Sequence, residues 1–381
     1  MKDKSRNCLF GYEVNKTRKG KFFVIKKNGR DFWLIEDVFN KALFLYTYPQ
    51  LTKKAKLYSY LLRLIWCLRL NHILFEKREI LIEEDSPYDC IFKNYNEVAI
   101  FCGTPGVNRK YVVVANNDDD QRFYFKVPTS SSSKKLVNNE VITLRELEVI
   151  DLSPHIIPSV IELSGNFGFM EVPKKNYIGI NRFLTPSILD FYEKLYDSSK
   201  EEITFNEFLD SQSSLIERIK NLNDFISFES KELIRQSLQE VEIIKKESKL
   251  NLEIYKAHGD FTFWNIFKLS DKHLSVIDWE MSSKKTKYFD LIHLIVTNEI
   301  FIRKNKPEAI FDTLSREFCF NSASMPDDFS LYFRLYLLQQ SLYYLDKYHR
   351  QEEDLHEQIH WQINAWLSLL KIVKYFNEKG N

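Results

Sequence analysis

The sequence predicts an α+β chain of two lobes, an antiparallel sheet lobe followed by a mainly helical one, with a small α+β region in front. Three observations carry that expectation. From Tyr95 on, Glu97–Phe101, Lys110–Ala115 and Arg122–Val127 read as successive strands joined by turn-forming residues. Beyond Pro186, apolar positions recur mainly at helical spacing. Between the third and fourth of those helices lies one stretch, His258–Glu280, in which polar residues are set among apolar strand patterns. The expected division is 1–90 for the leading region, 91–173 for the sheet lobe and 174–381 for the helical lobe.

Composition bounds the class. With 381 residues, 44% hydrophobic and 15% aromatic, the chain has ample material for a core. A net charge of +1 argues against binding nucleic acid by bulk charge, so no nucleic-acid partner is expected. Five scattered cysteines without a CxxC pair suit reduced thiols and a cytoplasmic protein. The start, MKDKSRNCLF, carries no signal-peptide pattern. Leu57–Leu70 is interrupted by Arg63 and Arg69 and is shorter than the ~20 apolar residues a membrane span needs.

In the leading region Cys8–Val14, Lys21–Lys26 and Asp31–Ile35 read as strands, the last two closing on Asn28-Gly29. Glu36 to Phe75 is mostly helical in pattern. Leu57, Leu61, Leu62, Ile65 and Leu68 recur there beside Lys53, Lys54, Lys56, Arg63 and Arg69. Such a helix either packs on the first lobe with a solvated basic face, the expected outcome, or offers Leu57–Leu70 as a peripheral contact for a membrane or a partner. The region is expected to add specificity or a contact surface and nothing to the chemistry.

In the sheet lobe the first turn is Gly103-Thr-Pro-Gly-Val-Asn-Arg. Two glycines without Cβ let backbone amides approach a phosphate, although the same pattern serves a plain hairpin turn. The third strand carries Lys126 among aromatics. After a Ser-rich turn, Thr129–Ser133, comes a helix in which Leu144 and Leu147, at +4 and +7, put Glu140 on the inward face. Ile156–Leu163 and Gly168–Val172 read as the remaining strands. The helical lobe follows as Pro186–Tyr196, Phe205–Ile219, Ser230–Lys246, Tyr288–Asn305, Pro307–Phe318, Asp327–Tyr348 and Gln351–Phe376.

The stretch His258–Glu280 carries the chemistry. Asn265 stands five residues after Asp260, and Asp278 thirteen after Asn265, inside Val-Ile-Asp-Trp-Glu. A strand near Ile266–Leu269, a turn at Ser270–Lys272 and a return through Leu274–Ile277 would set Asp278 beside Asn265. Phosphoryl transfer needs such a set: a carboxylate to take the proton of an attacking hydroxyl, here Asp260, and hard oxygen ligands for Mg²⁺, here Asn265 and Asp278. The bland alternative is a hairpin whose Asp and Asn cap turns. HGDFTFWN with VIDWE resembles the catalytic and metal-binding motifs of the aminoglycoside phosphotransferase and choline kinase group, small-molecule relatives of the protein kinases, over about residues 95–377.

That resemblance implies a two-lobed protein-kinase-like fold, ATP or GTP as donor, Mg²⁺, and a hydroxyl-bearing small molecule as acceptor. It also implies roles. Lys126 would contact the α- and β-phosphates and be held by Glu140. Gly103 and Gly106 would lie over the phosphates, and Met170 and Val172 would form the hinge whose backbone meets adenine. Asp290 would support the catalytic loop, His258 would be a packed histidine, and Glu280 is left open as a further metal ligand.

Glycine precedes Asp260 where protein kinases carry an arginine, and only Met281–Lys287 separates the motif from the next helix. Both features favour a small acceptor over a protein. A sugar or surface-glycan precursor is expected ahead of an aminoglycoside or choline, because GTPGVNRK is similar to loops of phosphotransferases associated with polysaccharide synthesis. Glu201, Glu202, Glu207 and Asp210 would suit a cationic acceptor or simply form a solvated face. The rival readings are a catalytically silent nucleotide-binding scaffold and a protein kinase. No HExxH, Cys/His cluster or GxSxG is present.

Overall fold

The computed structural model describes residues 17–37, 43–46, 53–84, 86–95, 97–104, 106, 108–119, 121–163, 166–171, 176–177, 183–220, single positions between 231 and 243, 251–322, 326–349 and 357–379. The strand expected over Cys8–Val14 lies outside them. Strands β1 (Thr17–Lys27) and β2 (Arg30–Glu36) close on Asn28 and Gly29, whose φ values of 51° and 74° are what a two-residue hairpin turn of this hand requires. Then come α1 (Lys53–Cys67), α2 (Asn71–Leu74), β3 (Glu76–Glu83), α3 (Pro87–Asn94) and β4 (Glu97–Phe101).

Strands β5 (Lys110–Asn116), β6 (Arg122–Pro128), β7 (Ser159–Leu163) and β8 (Asn166–Glu171), with α4 (Ser131–Leu147) between β6 and β7, complete the sheet lobe. The order is β3-β1-β2-β4-β5-β6-β8-β7, antiparallel throughout. The strands of the leading region and those from Glu97 on therefore share one eight-stranded sheet, joined where Trp33, Leu34 and Ile35 pair with Phe101, Ile100 and Ala99.

Period-two alternation sorts the side chains to two faces. Phe22, Val24, Leu34, Ile80 and Ile82 pack with Tyr88, Ile91 and Phe92 of α3, while Phe23, Ile25, Trp33 and Ile35 pack with Leu62 and Trp66 of α1. Burying each of those α1 side chains is worth about 2–3 kcal/mol. This corrects the sequence expectation for α1: its core face is Ser59, Leu62 and Trp66, and Leu57, Leu61 and Leu68 point outward. The helix is apolar on two opposite sides, so periodicity alone selected the wrong one.

The mainly helical lobe holds α5 (Pro186–Ser199), capped by Thr185 with Pro186 in its first turn, and α6 (Phe205–Lys220). Of the helix expected over 230–246 about half the positions are described, and those are helical. Strand β9 (Asn176–Tyr177) pairs with β12 (Ile266–Lys268), which pairs with β13 (Leu274–Val276). Strand β11 (Asn251–Ala257) lies between β10 (Glu201–Thr204) and β14 (Ser283–Thr286). Helix α7 (Phe289–Asn298), buried at every position, packs against α8 (Pro307–Ser322) and α9 (Phe329–His349), and α10 (Glu357–Lys379) packs on both of these.

Candidate active site

Strand β11 delivers the loop that carries His258, Gly259 and Asp260, and α7 holds it. Asp290, in the first turn of α7, accepts hydrogen bonds from the His258 and Gly259 amides at 2.8 and 3.0 Å. Gly259 has φ 84°, and a Cβ there would stand 2.2 Å from the Met281 carbonyl oxygen, so this position excludes any side chain. The buried His258 ring bonds the Ile277 carbonyl through Nε2 at 2.9 Å and accepts the Asp260 amide at Nδ1, 3.2 Å, which places its proton on Nε2. It lies against Trp279, ring centroids 4.6 Å apart. These contacts turn the loop so that Asp260 remains about one-third exposed, its side chain 31% accessible.

Both oxygens of that carboxylate are held. The Asn265 amide donates to Oδ2 at 3.0 Å and to the Asp260 carbonyl at 2.9 Å, and His293 Nε2 lies 3.3 Å from Oδ1. The Gln340 amide nitrogen, 3.2 Å from His293 Nδ1, is a donor and so turns the Nε2 proton toward Asp260. Asn265 is in turn fixed by β12 and β13. Its backbone oxygen accepts the Ile277 amide at 2.9 Å, one residue before Asp278.

Asp278 adopts a left-handed conformation, φ 69°, uncommon for a non-glycine residue and concentrated at functional sites. Its carboxylate meets Lys126 of β6, which also pairs with Glu140 of α4 at 2.6 Å and lies 3.6 Å from Glu280. Glu280 also pairs with Lys110 of β5. Carboxylate oxygens of Glu140, Asp278 and Glu280 lie within 4.8 Å of one another, three acids against two ammonium groups. Burial works against the Lys126 cation, but Asp278, Glu140 and Glu280 outweigh it and hold its pKa above the ordinary value. Burial likewise raises Asp278, and the Lys126 and Lys110 charges outweigh it, holding this carboxyl well below its usual range. Glu140 is pushed up by burial, with Lys126 offsetting part of it.

Helix α4 is locked to the same turn. Its amino terminus carries a capping box of Ser130 and Ser133. Asn139 donates to the Glu280 and Ser282 carbonyls at 2.9 Å each, and the Trp279 amide donates to Glu140 at 3.3 Å. The glycine loop is tied to the start of that helix, because the Ser132 hydroxyl donates to Asn108 at 2.6 Å and the Thr129 hydroxyl to the Arg109 carbonyl at 2.6 Å. Gly103, φ 73°, sits so close to the Lys110 carbonyl oxygen that a Cβ would stand 2.3 Å from it.

The structure thus brings together Lys126, Glu140 and Asp278, and separately Asp260 and Asn265, with the Asn265–Ile277 bond joining the two groups. Met170 lies in β8 opposite Phe123; Val172 is outside the described residues. Sequence reading left Glu280 open and Lys110 unassigned, and it missed His293, Asn139 and Lys347. Lys347 on α9 lies one turn beyond Tyr343, whose hydroxyl donates to Met281 Sδ at 3.4 Å. Burial lowers its pKa, and the Asp260 and Glu280 carboxylates work the other way.

No protein-family model matches the chain, and no curated protein matches it. Solved structures do. The chain is similar to aminoglycoside phosphotransferase APH(4)-Ia, solved in ternary complex with ADP and hygromycin B, with 9% identity over 74% of this chain and 95% of that one and a TM-score of 0.50. It is also similar to choline kinase LicA from Streptococcus pneumoniae, with 17% identity, 69% and 89% coverage and a TM-score of 0.47. For the microcompartment-associated aminopropanol kinase the values are 12%, 76%, 96% and 0.47. At 9% identity the likeness to the first of these is one of fold, and it agrees with the protein-kinase-like fold that the HGDFTFWN and VIDWE motifs imply.

Proposed function

We propose that the protein is a small-molecule kinase that transfers the γ-phosphoryl group of ATP or GTP to a hydroxyl of its acceptor. The observation that carries this reading is the Lys126–Glu140 pair set against Asp278 and Glu280, with the doubly held Asp260 carboxylate beside it. The donor set fits a divalent cation: the Asp278 carboxylate stands on a partly exposed turn with the Glu140 and Glu280 carboxylates within 4.8 Å, and Asn265 is tied to that turn through the Ile277 amide. Mg²⁺ held there would neutralise charge on the transferring phosphoryl group. Lys126 and Lys110 are the cations that would meet the nucleotide phosphates, under the loop of Gly103 and Gly106. Asp260 would orient the acceptor hydroxyl and accept its proton, with Asn265 and His293 fixing the carboxylate.

For the acceptor, the reading favours a sugar or glycan precursor over choline or an aminoglycoside. Lys347 supports this order. Its ammonium shares the fields of Asp260 and Glu280, so a cationic acceptor would bring like charge to that side of the site. Among the described residues, Cys67, Cys90, Cys102 and Cys319 form no disulfide with one another, which suits a reducing compartment and a cytoplasmic enzyme.

The test is nucleotide consumption across a panel of sugars, aminoglycosides and choline, with ATP and GTP in separate arms, on the wild type and on Asp260→Ala. Turnover on a sugar, lost by at least about a hundredfold in the variant with Mg-nucleotide binding retained, is the expected result. Binding without turnover on any acceptor would point to a nucleotide-binding scaffold instead.

A further inference from the structure

Helix α1 buries one apolar face and exposes another. Opposite Ser59, Leu62 and Trp66, the positions Leu57, Tyr60, Leu61 and Leu68 follow helical spacing and are 60%, 62%, 48% and 60% exposed. Arg69, with φ 57°, turns the chain into α2, where Ile73 and Leu74 are 81% and 58% exposed. Large exposed apolar side chains crowded into one short stretch of chain mark a docking face.

The charges around it identify what it meets. Residues 51–75 contain Lys53, Lys54, Lys56, Arg63 and Arg69 and no aspartate or glutamate, in a chain whose net charge is only +1. Lys53, Lys54 and Lys56 crowd the amino-terminal turn of α1, where the helix dipole disfavours cations and where no acidic residue stands. Helix stability therefore does not account for them. A second copy docked face to face would set this cationic rim against itself, because a two-fold interface pairs a patch with its own image. An anionic lipid surface satisfies both features, taking the leucines and Tyr60 into the headgroup–acyl boundary and pairing the lysines and arginines with lipid charge.

We infer that α1 and α2 form a peripheral docking face for an anionic membrane surface. No helix among the described residues is long and apolar enough to cross a membrane, so the contact is one of lying on the bilayer.

The test is co-sedimentation of the full chain with vesicles of phosphatidylcholine alone and of phosphatidylcholine mixed with phosphatidylglycerol. The expected result is pelleting with the mixed vesicles only, weakened by salt. Leu57→Ser, Leu61→Ser and Leu68→Ser combined should lower partitioning at least about tenfold, since each exposed leucine contributes to the apolar term. The melting temperature should barely move, because none of the three is in the core. Lys53→Glu with Lys56→Glu should do the same by the charge term alone. Failure to pellet with mixed vesicles overturns the inference, as does equal binding to neutral ones. So does a dimer in light scattering that the leucine substitutions dissolve. None of these outcomes depends on kinase activity, so they leave the proposed reaction untouched.

Discussion

His293 occupies a place that the sequence did not mark, between Asp260 and a polar set of Gln340, Thr297 and Tyr336. Removing it leaves Asp260 Oδ1 without its donor while the Asn265 bond to Oδ2 remains. His293→Ala is expected to lower kcat by roughly 10–100-fold, with the KM for nucleotide little changed, and His293→Gln to restore part of it. Equal losses of melting temperature and kcat in both variants would mark the histidine as packing alone. Lys285 on β14, opposite Tyr255, offers a test of pH dependence. Burial pushes its ammonium down to about 8, the Asp290 carboxylate offsetting only part, and the side chain lies over the Phe289 ring at 4.9 Å. The folded value lies below the ordinary 10.5, so between pH 8 and 10.5 the unfolded chain binds more protons and stability rises with pH. Below about 8 the penalty is fully present. Lys285→Met should therefore stabilise the fold by on the order of 1 kcal/mol at pH 7, after allowing for the lost cation–π contact. That gain should shrink as pH approaches 10.5, read from denaturant melts at several pH values.

The ladder between β2 and β4 decides what the leading region is to the fold. The leading region supplies the partner of β4 and cover for both sheet faces, through Leu62 and Trp66 of α1 on one and Tyr88 of α3 on the other. A chain starting at residue 91 would expose β4 as an unpaired apolar edge. It is expected to elute as aggregate in size-exclusion chromatography and to show no thermal shift with Mg-nucleotide. A monodisperse fragment that still binds nucleotide would show that the later strands suffice alone. How far such elements were legible follows from their chemistry. The β12–β13 hairpin could be read because polar residues punctuate two short apolar runs, and α5 because Thr185-Pro186 announces it. Strand β3, EKREILIE, escaped because four charged residues open it, as suits a sheet edge, and only Ile80, Leu81 and Ile82 remain as signal. In α1 two apolar stripes oppose each other, so spacing fitted either face. At the site, Asp260, Asn265 and Asp278 were readable from local spacing. Lys110, Asn139 and His293 were not, because each reaches its partner across a long loop and leaves no local pattern.

Across the whole molecule, short-range and long-range contacts are divided unevenly. In the eight-stranded sheet four of the seven pairings, β1–β2, β4–β5, β5–β6 and β7–β8, join strands that are consecutive in the chain. The cluster of Lys110, Lys126, Asp278 and Glu280 is built the other way. Lys110 and Glu280 are 170 residues apart, Lys126 and Asp278 152, and Asn139 and Glu280 141. Closing loops of that length is slow and unrewarded until both lobes already stand. The lobes therefore acquire their strands and helices before the cations of one meet the carboxylates of the other. During synthesis Lys126 emerges long before Asp278, so the proposed nucleotide site is assembled late in the growing chain.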